Sequence, residues 1–130
     1  MENRTWLVKA NETKCNHRRA FGELGMISWR MDTTKFSVGD VVYVYFPDRR
    51  QVEIKAVVTE INAKRYDLKF WKETPTNNVC ATLKKLVYKG NDPALSEIEL
   101  LKHGYKKGCA QQPMYNNPEL FEYLNGVFDK

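Results

Sequence analysis

The chain has 130 residues, enough to close one hydrophobic core and too few for two, and its 42% hydrophobic and 28% charged residues exclude a disordered or collagen-like polymer. Its formal charge of +5, from 21 Lys and Arg against 16 Asp and Glu, favours a polyanionic partner without identifying one. No apolar run of about 18 residues is present, and the opening MENRTWLVKAN lacks the apolar centre of a signal peptide, so the expected setting is the cytoplasm, with no membrane partner.

Thr5-Trp6-Leu7-Val8-Lys9-Ala10 is a short β-rich run ended by Asn11, and it predicts a first strand running into a polar loop. Asn16 is placed to cap a short helix over residues 18–24, which Gly25 ends because a residue without Cβ takes the left-handed cap conformation. Met26 to Arg30 follows as a brief extended piece. Ser37-Val38-Gly39-Asp40 is a turn in which Asp40 is expected to tie down backbone N–H groups, and Val41 to Phe46 behind it is the most β-prone stretch of the chain. From Gln51 to Asn62, Val52, Ile54, Ala56 and Val58 alternate with Glu53, Lys55, Val57 and Thr59, the pattern of a strand buried on one face. Tyr66 to Lys72 predicts a further strand, hairpin-paired through residues 62–65; Glu73 to Asn78 reads as a polar loop, and Ala81 to Lys89, whose LKKLVYK suits a strand or a helix, is read as another strand. Ser96 is a good N-cap for a helix from Glu97 to His103 that Gly104 closes, and Asn117-Pro118 opens a last helix from Glu119 to Val127. Strands with peripheral helices in this order give an α+β barrel, a single domain over residues 1–130 that stands alone or as the N-terminal module of a longer protein.

Three Trp, seven Tyr and six Phe exceed what a small core needs, so some are expected to line a surface cleft. Trp6, followed by Leu7 and Val8, reads as core, as do Tyr43 and Tyr45 on one strand face. Trp29, between Ser28 and Arg30, and Trp71, before Lys72, stand in polar surroundings and are the candidates for a ligand. Lys14, His17, Arg18 and Arg19 put four potentially cationic groups next to the Asn11 loop, a candidate for phosphate contact and otherwise a solvated helix face. Lys64-Arg65, Lys84-Lys85 and Lys102 to Lys107 are alternative basic patches. Cys15, Cys80 and Cys109 are odd in number and lack CxxC spacing, which predicts reduced thiols; Cys15-x-His17 leaves zinc short of its four ligands, so no metal is expected. There is no GxSxG, P-loop, GxGxxG or HExxH, and neither histidine lies in a catalytic motif, so neither a cofactor nor enzymatic activity is expected.

The string Trp6-Leu-Val-Lys-Ala-Asn11, then Phe21, Gly25-x-x-x-Trp29 and Val38-Gly39-Asp40-Val41-Val42-Tyr43-Val44-Tyr45 resembles the opening of EVE domains in the PUA-like superfamily, and it is also similar to YTH domains. The resemblance covers residues 1–72 and implies a PUA-like mixed β-barrel of about five to six strands, flanked by short α-helices, that holds a flipped or single-stranded base between tryptophans. Carried over by position, it implies base contacts from Lys9, Ala10 and Asn11, a first cage wall at Trp29 with Ser28 beside it, and a second at Trp71. The function it implies is reading a modified, methylated base, in DNA more than RNA, in restriction-type defence, with a nuclease or NTPase domain or subunit as partner. A nucleotide-binding or hydrolytic barrel is the rival from another class. Two facing indoles return roughly 1–3 kcal/mol per stacked base, against a few kcal/mol lost on extruding it. Trp29 and Trp71 are therefore expected to face each other across a cleft, with Asn11 at its floor and Lys14, Arg18 or Arg19 at its rim.

Overall fold

The alternation of large apolar side chains along Thr5–Lys9 (β1) and Val41–Phe46 (β3) sends Trp6, Val8, Val42, Val44 and Phe46 into one core and Leu7, Tyr43 and Tyr45 into another. Such continuous apolar runs are what strands covered on both faces require, and β1 runs parallel to β3. A computed structural model describes residues 4–31, 36–73, 79–105, 111–113 and 117–129. Met26–Arg30 (β2), Gln51–Ala63 (β4), Cys80–Tyr88 (β5) and Gln111–Pro113 (β6) complete one six-stranded mixed sheet in the order β2-β5-β4-β3-β1-β6. Apart from β1 and β3, neighbouring strands are antiparallel. Irregularities in β4 against both neighbours curl the sheet into a half-barrel, since each extra residue bends and twists its strand. The result is the expected α+β architecture with short helices around a mixed sheet.

His17–Leu24 (α1) packs Ala20 and Phe21 into the first core, with Ile27, Ile54, Ala56, Val58, Ala81 and Leu83. Glu97–Leu101 (α2) and Pro118–Phe128 (α3) cover the second, where Leu100, Leu120, Leu124, Val127 and Phe128 enclose Tyr43 and Tyr45. Each fully buried large side chain contributes roughly 1.5–3 kcal/mol. The caps of α2 and α3 are those the sequence predicts: Ser96 Oγ accepts from Glu99 N at 3.4 Å and Asn117 Oδ1 from Leu120 N at 3.4 Å. Asp40 is a fastener, accepting from Arg4 N (2.9 Å), Ser37 N (2.9 Å) and the Trp6 indole (3.0 Å), which buries Trp6 with its N–H satisfied. No helix among the described residues is long and apolar enough to cross a membrane.

Three local expectations change. Asn16 sits at the N-cap of α1 but makes no side-chain cap bond; the Glu12 carboxylate, reaching forward from the preceding turn, accepts from His17 N (2.7 Å) and Arg18 N (3.3 Å) instead. The alternation expected along β4 breaks at a bulge: Val44 faces Ile54 but Tyr45 faces Val52, so Glu53 is the extra residue. Val52 thereby joins the second core and Glu53, expected in solvent, is fully buried. Tyr66 to Lys72 is not a hairpin strand. Leu68–Phe70 forms a 3-10 turn, and Trp71 contributes a single bridge to Cys15. The reason lies in Asp67, whose buried carboxylate is drawn toward the outer edge of β2 and stops the segment from running extended.

Candidate functional site

The turn before α1, the start of that helix, β2 and the segment 65–72 converge on His17. Its imidazole is buried, with Nδ1 3.3 Å from Glu12 Oε2. A carboxylate only accepts, so Nδ1 is the donor of this bond. Both indoles singled out by the sequence pack on this ring: Trp29 with centroids 5.8 Å apart at 40°, and Trp71 at 5.8 Å and 72°. Neither indole is fully buried. Trp29 is fixed by its place on β2, opposite Ala81, while its Nε1 is buried and has no hydrogen-bond partner among the described residues. Trp71 is held from three directions: its Nε1 donates to Asp67 Oδ1 at 3.0 Å, the Arg65 guanidinium lies 4.7 Å over its ring, and its backbone bridges to Cys15.

Asp67 organises this end of the sheet. Its carboxylate is fully buried and accepts from Trp71, from Ser28 N (3.1 Å) and from Arg65 Nη1 (3.3 Å). Because β2 is an edge strand, these bonds, with Tyr66 N donating to Ser28 Oγ at 2.9 Å, cover a backbone edge that would otherwise be open. Burial raises the Cys15 thiol to about 12, helped by the negative charges of Asp67 and Glu12, so this cysteine is a packed side chain and not a nucleophile. Burial raises Cys80 as well. Cys109 lies outside the described residues.

The residues named from sequence separate into groups. Trp29, Trp71, His17 and Ser28 are brought together. Asn11 is exposed, but its Oδ1 accepts from Thr13 N and Thr13 Oγ1 (3.0 and 2.6 Å), closing a turn. Ala10 is fully buried, with its N–H on Tyr45 O. Lys9 is turned away from the indoles: its ammonium lies 5.8 Å over the Tyr45 ring, on the second-core face of the sheet. Arg18 is committed to carboxylates. Its Nε and Nη2 reach Glu53 at 2.8 and 2.9 Å, Nη1 and Nη2 reach Asp48 at 3.1 and 3.0 Å, and Nη1 touches Glu12 at 3.3 Å. Arg19 is exposed and paired with Glu23 one turn on.

These pairings leave their mark on the acids. Burial works to raise the Glu12 carboxyl, but hydrogen bonds from the His17 ring and from the His17 and Arg18 backbones outweigh it and hold it below its usual value. The hydrogen bond from Arg18 does the same for Asp48.

Cations suited to an anionic ligand stand elsewhere. Lys14 and Lys72 are exposed and joined through the backbone, Lys72 N donating to Lys14 O at 3.0 Å, and exposed Lys69 lies over Phe70 at 5.0 Å. None of the three makes an ion pair among the described residues. The sequence names Lys14 as a candidate phosphate contact but not Lys69 or Lys72, which fall in the segment it predicts as a strand. Nor does it single out Glu12 and Asp67. An acid shortly before a helix start is a usable signal for the first; the second binds Ser28 across 39 residues and leaves none.

No family model matches the chain, and no curated protein is similar to it. Solved structures are. A hypothetical protein from Leishmania major superposes with a TM-score of 0.65 at 16% identity, covering 98% of this chain and 96% of that one. An ASCH protein from Zymomonas mobilis gives 0.65 at 7% identity over 97% and 96% of the two chains. A protein from Agrobacterium tumefaciens gives 0.53 at 15% identity over 95% and 92%. At such identities the likeness establishes the fold, that of the ASCH and other PUA-like α+β domains, and does not single out the EVE or YTH branch.

Proposed function

We propose that the chain is a nucleic-acid-binding module that takes an unstacked, modified base against Trp29 and Trp71 and holds the flanking phosphates with Lys14, Lys69 and Lys72. The observation that carries this is the convergence of two incompletely buried indoles on one imidazole, beside three lysines without carboxylate partners among the described residues. Indole faces supply sequence-tolerant stacking, and an added methyl group gains on the order of 1 kcal/mol by burial against them. The ASCH and PUA-like folds of the structural neighbours support the same class of ligand. We propose binding without turnover, because the acids near the indoles are spent: Glu12 on His17 and Arg18, Asp67 on Arg65 and Trp71, Glu53 on Arg18. DNA in a modification-dependent defence system, with a nuclease or NTPase partner, is the setting favoured by the EVE resemblance.

Titration with short oligonucleotides carrying plain and methylated bases, as DNA and RNA and as single and double strands, tests the reading. The expected result is tighter binding of a methylated single strand, with Trp29→Ala and Trp71→Ala each losing roughly 1–3 kcal/mol of affinity. Absence of binding to every member of the panel would refute it.

A further inference from the structure

Between the second turn of α1 and the far half of β5 lies an open cleft of about 230 Å³, lined by Arg18, Phe21, Gly22, Lys85 and Tyr88. The Arg18 wall is already neutralised by Glu53 and Asp48. Lys85 is different. It is half-buried, makes no ion pair among the described residues, and is held by its backbone N–H, which donates to Gly25 O at the end of α1 at 2.8 Å. Tyr88 is 48% exposed, and its ring rests where a Cβ at Gly90 would overlap the phenol, so Gly90 lets the ring lie in this pose. Gly22 opens the opposite side, since a Cβ built there meets nothing within 4 Å.

We propose that this cleft is a site for a nucleotide unit, with the planar ring stacked on Tyr88 and the phosphate on Lys85. A half-exposed phenol and an ammonium without an ion pair among the described residues, on one strand, match a ring joined to an anion. The volume lies below the roughly 300–1,000 Å³ of pockets that enclose a whole drug-sized ligand, and suits part of a nucleotide lying on the surface. Gly22 stands about 140° around the helix from His17, so the cleft is separate from the indole pair and does not depend on the function proposed there.

The test is amide chemical-shift mapping on the full chain with adenosine 5′-monophosphate, adenosine and inorganic phosphate. The monophosphate should shift Gly22, Lys85 and Tyr88 and bind more tightly than either fragment. Gly22→Leu fills the cleft with a better helix former, and an amide spectrum of the free variant that is unchanged outside the cleft separates loss of binding from loss of fold; Lys85→Gln removes the charge alone. Each should weaken the monophosphate about tenfold or more, while Trp29→Ala leaves it unchanged. Shifts confined to the indole region, unchanged binding by Gly22→Leu, or inorganic phosphate binding as tightly as the nucleotide would overturn the proposal. A single-stranded oligonucleotide that shifts the same residues identifies a strand as the source of the nucleotide, and one that does not, while the monophosphate binds, identifies a free nucleotide.

Discussion

Removing the Arg18 side chain would leave Glu53, a carboxylate with no exposed surface, with only Gln51 Nε2 at 2.9 Å and Arg49 at 4.0 Å among the described residues. Breaking a buried pair from one side costs roughly 3–5 kcal/mol, and the low end applies because the Arg18 side chain is 21% exposed. Arg18→Ala is therefore expected to lower stability by about 3 kcal/mol in urea denaturation. Lys72→Ala, at an exposed unpaired cation, should stay within about 0.5 kcal/mol of the parent. Titration gives a second check at this scale. Glu12 and Asp48 are held below their ordinary values in the folded chain, so their contribution is present above the unfolded carboxylate range near pH 4 and is lost as pH falls through their lower folded values. The Cys15 thiol, raised to about 12, contributes below the unfolded value of about 8.5 and is lost as pH rises from there toward 12. Thiol reagents at pH 8 should accordingly leave Cys15 and Cys80 unmodified until denaturant is added; labelling of either in the native chain, read by peptide mass, would contradict this.

At the level of elements, α1 depends on how it starts and stops. Gly25 takes φ 72° and donates its N–H to Phe21 O, and a Cβ there meets nothing within 4 Å, so Gly25→Ala carries a conformational cost alone. That cost is roughly 1 kcal/mol, visible as a lower thermal midpoint with no change in the sheet. Gly25, Ser96 and Asn117 were legible in the sequence because a cap is a local device, and the runs that became β1 and β3 were legible because β-branching and aromatic content act within a few residues, whereas LKKLVYK of β5 suited a helix as well as a strand. The bulge at Glu53 was not, since an extra residue becomes visible only once β3 is laid beside β4. The segment 66–72 failed for a related reason: Tyr66, Phe70 and Trp71 have strand propensity, but the buried bonds of Asp67 to Ser28 and Arg65 override it. The same override explains the candidate site. Trp29 and Trp71 were recognisable as aromatic residues in polar settings, whereas the imidazole that joins them and the salt bridges that tie Arg18 to Glu53 and Asp48 are products of tertiary packing.

For the molecule as a whole, the charge of +5 is a weak guide until the cations already spent inside the fold are set aside. Arg18 faces three carboxylates, Arg19 pairs with Glu23 and Arg65 with Asp67, so none of these has its full charge available to a polyanion. Lys14, Lys69 and Lys72 make no ion pair among the described residues, and the latter two flank Phe70 and Trp71 in the chain. Three phosphates neutralised on a single strand release counterions with a slope of log K against log salt of roughly −2, about −0.7 for each contact. Measured by fluorescence anisotropy between low and physiological salt, the parent chain is expected to show that slope. Lys72→Ala should reduce it to about −1.4 while preserving the preference for a methylated base, because a phosphate contact carries no base information. Trp71→Ala should do the reverse, weakening the complex at every salt concentration and leaving the slope in place. Arg18→Ala, assayed where it remains folded, should change neither the slope nor the preference. A steeper dependence in the parent that falls on removing Arg18 would mean that the guanidinium leaves its carboxylates to meet the nucleic acid, and the assignment of the phosphate contacts would move to the start of α1.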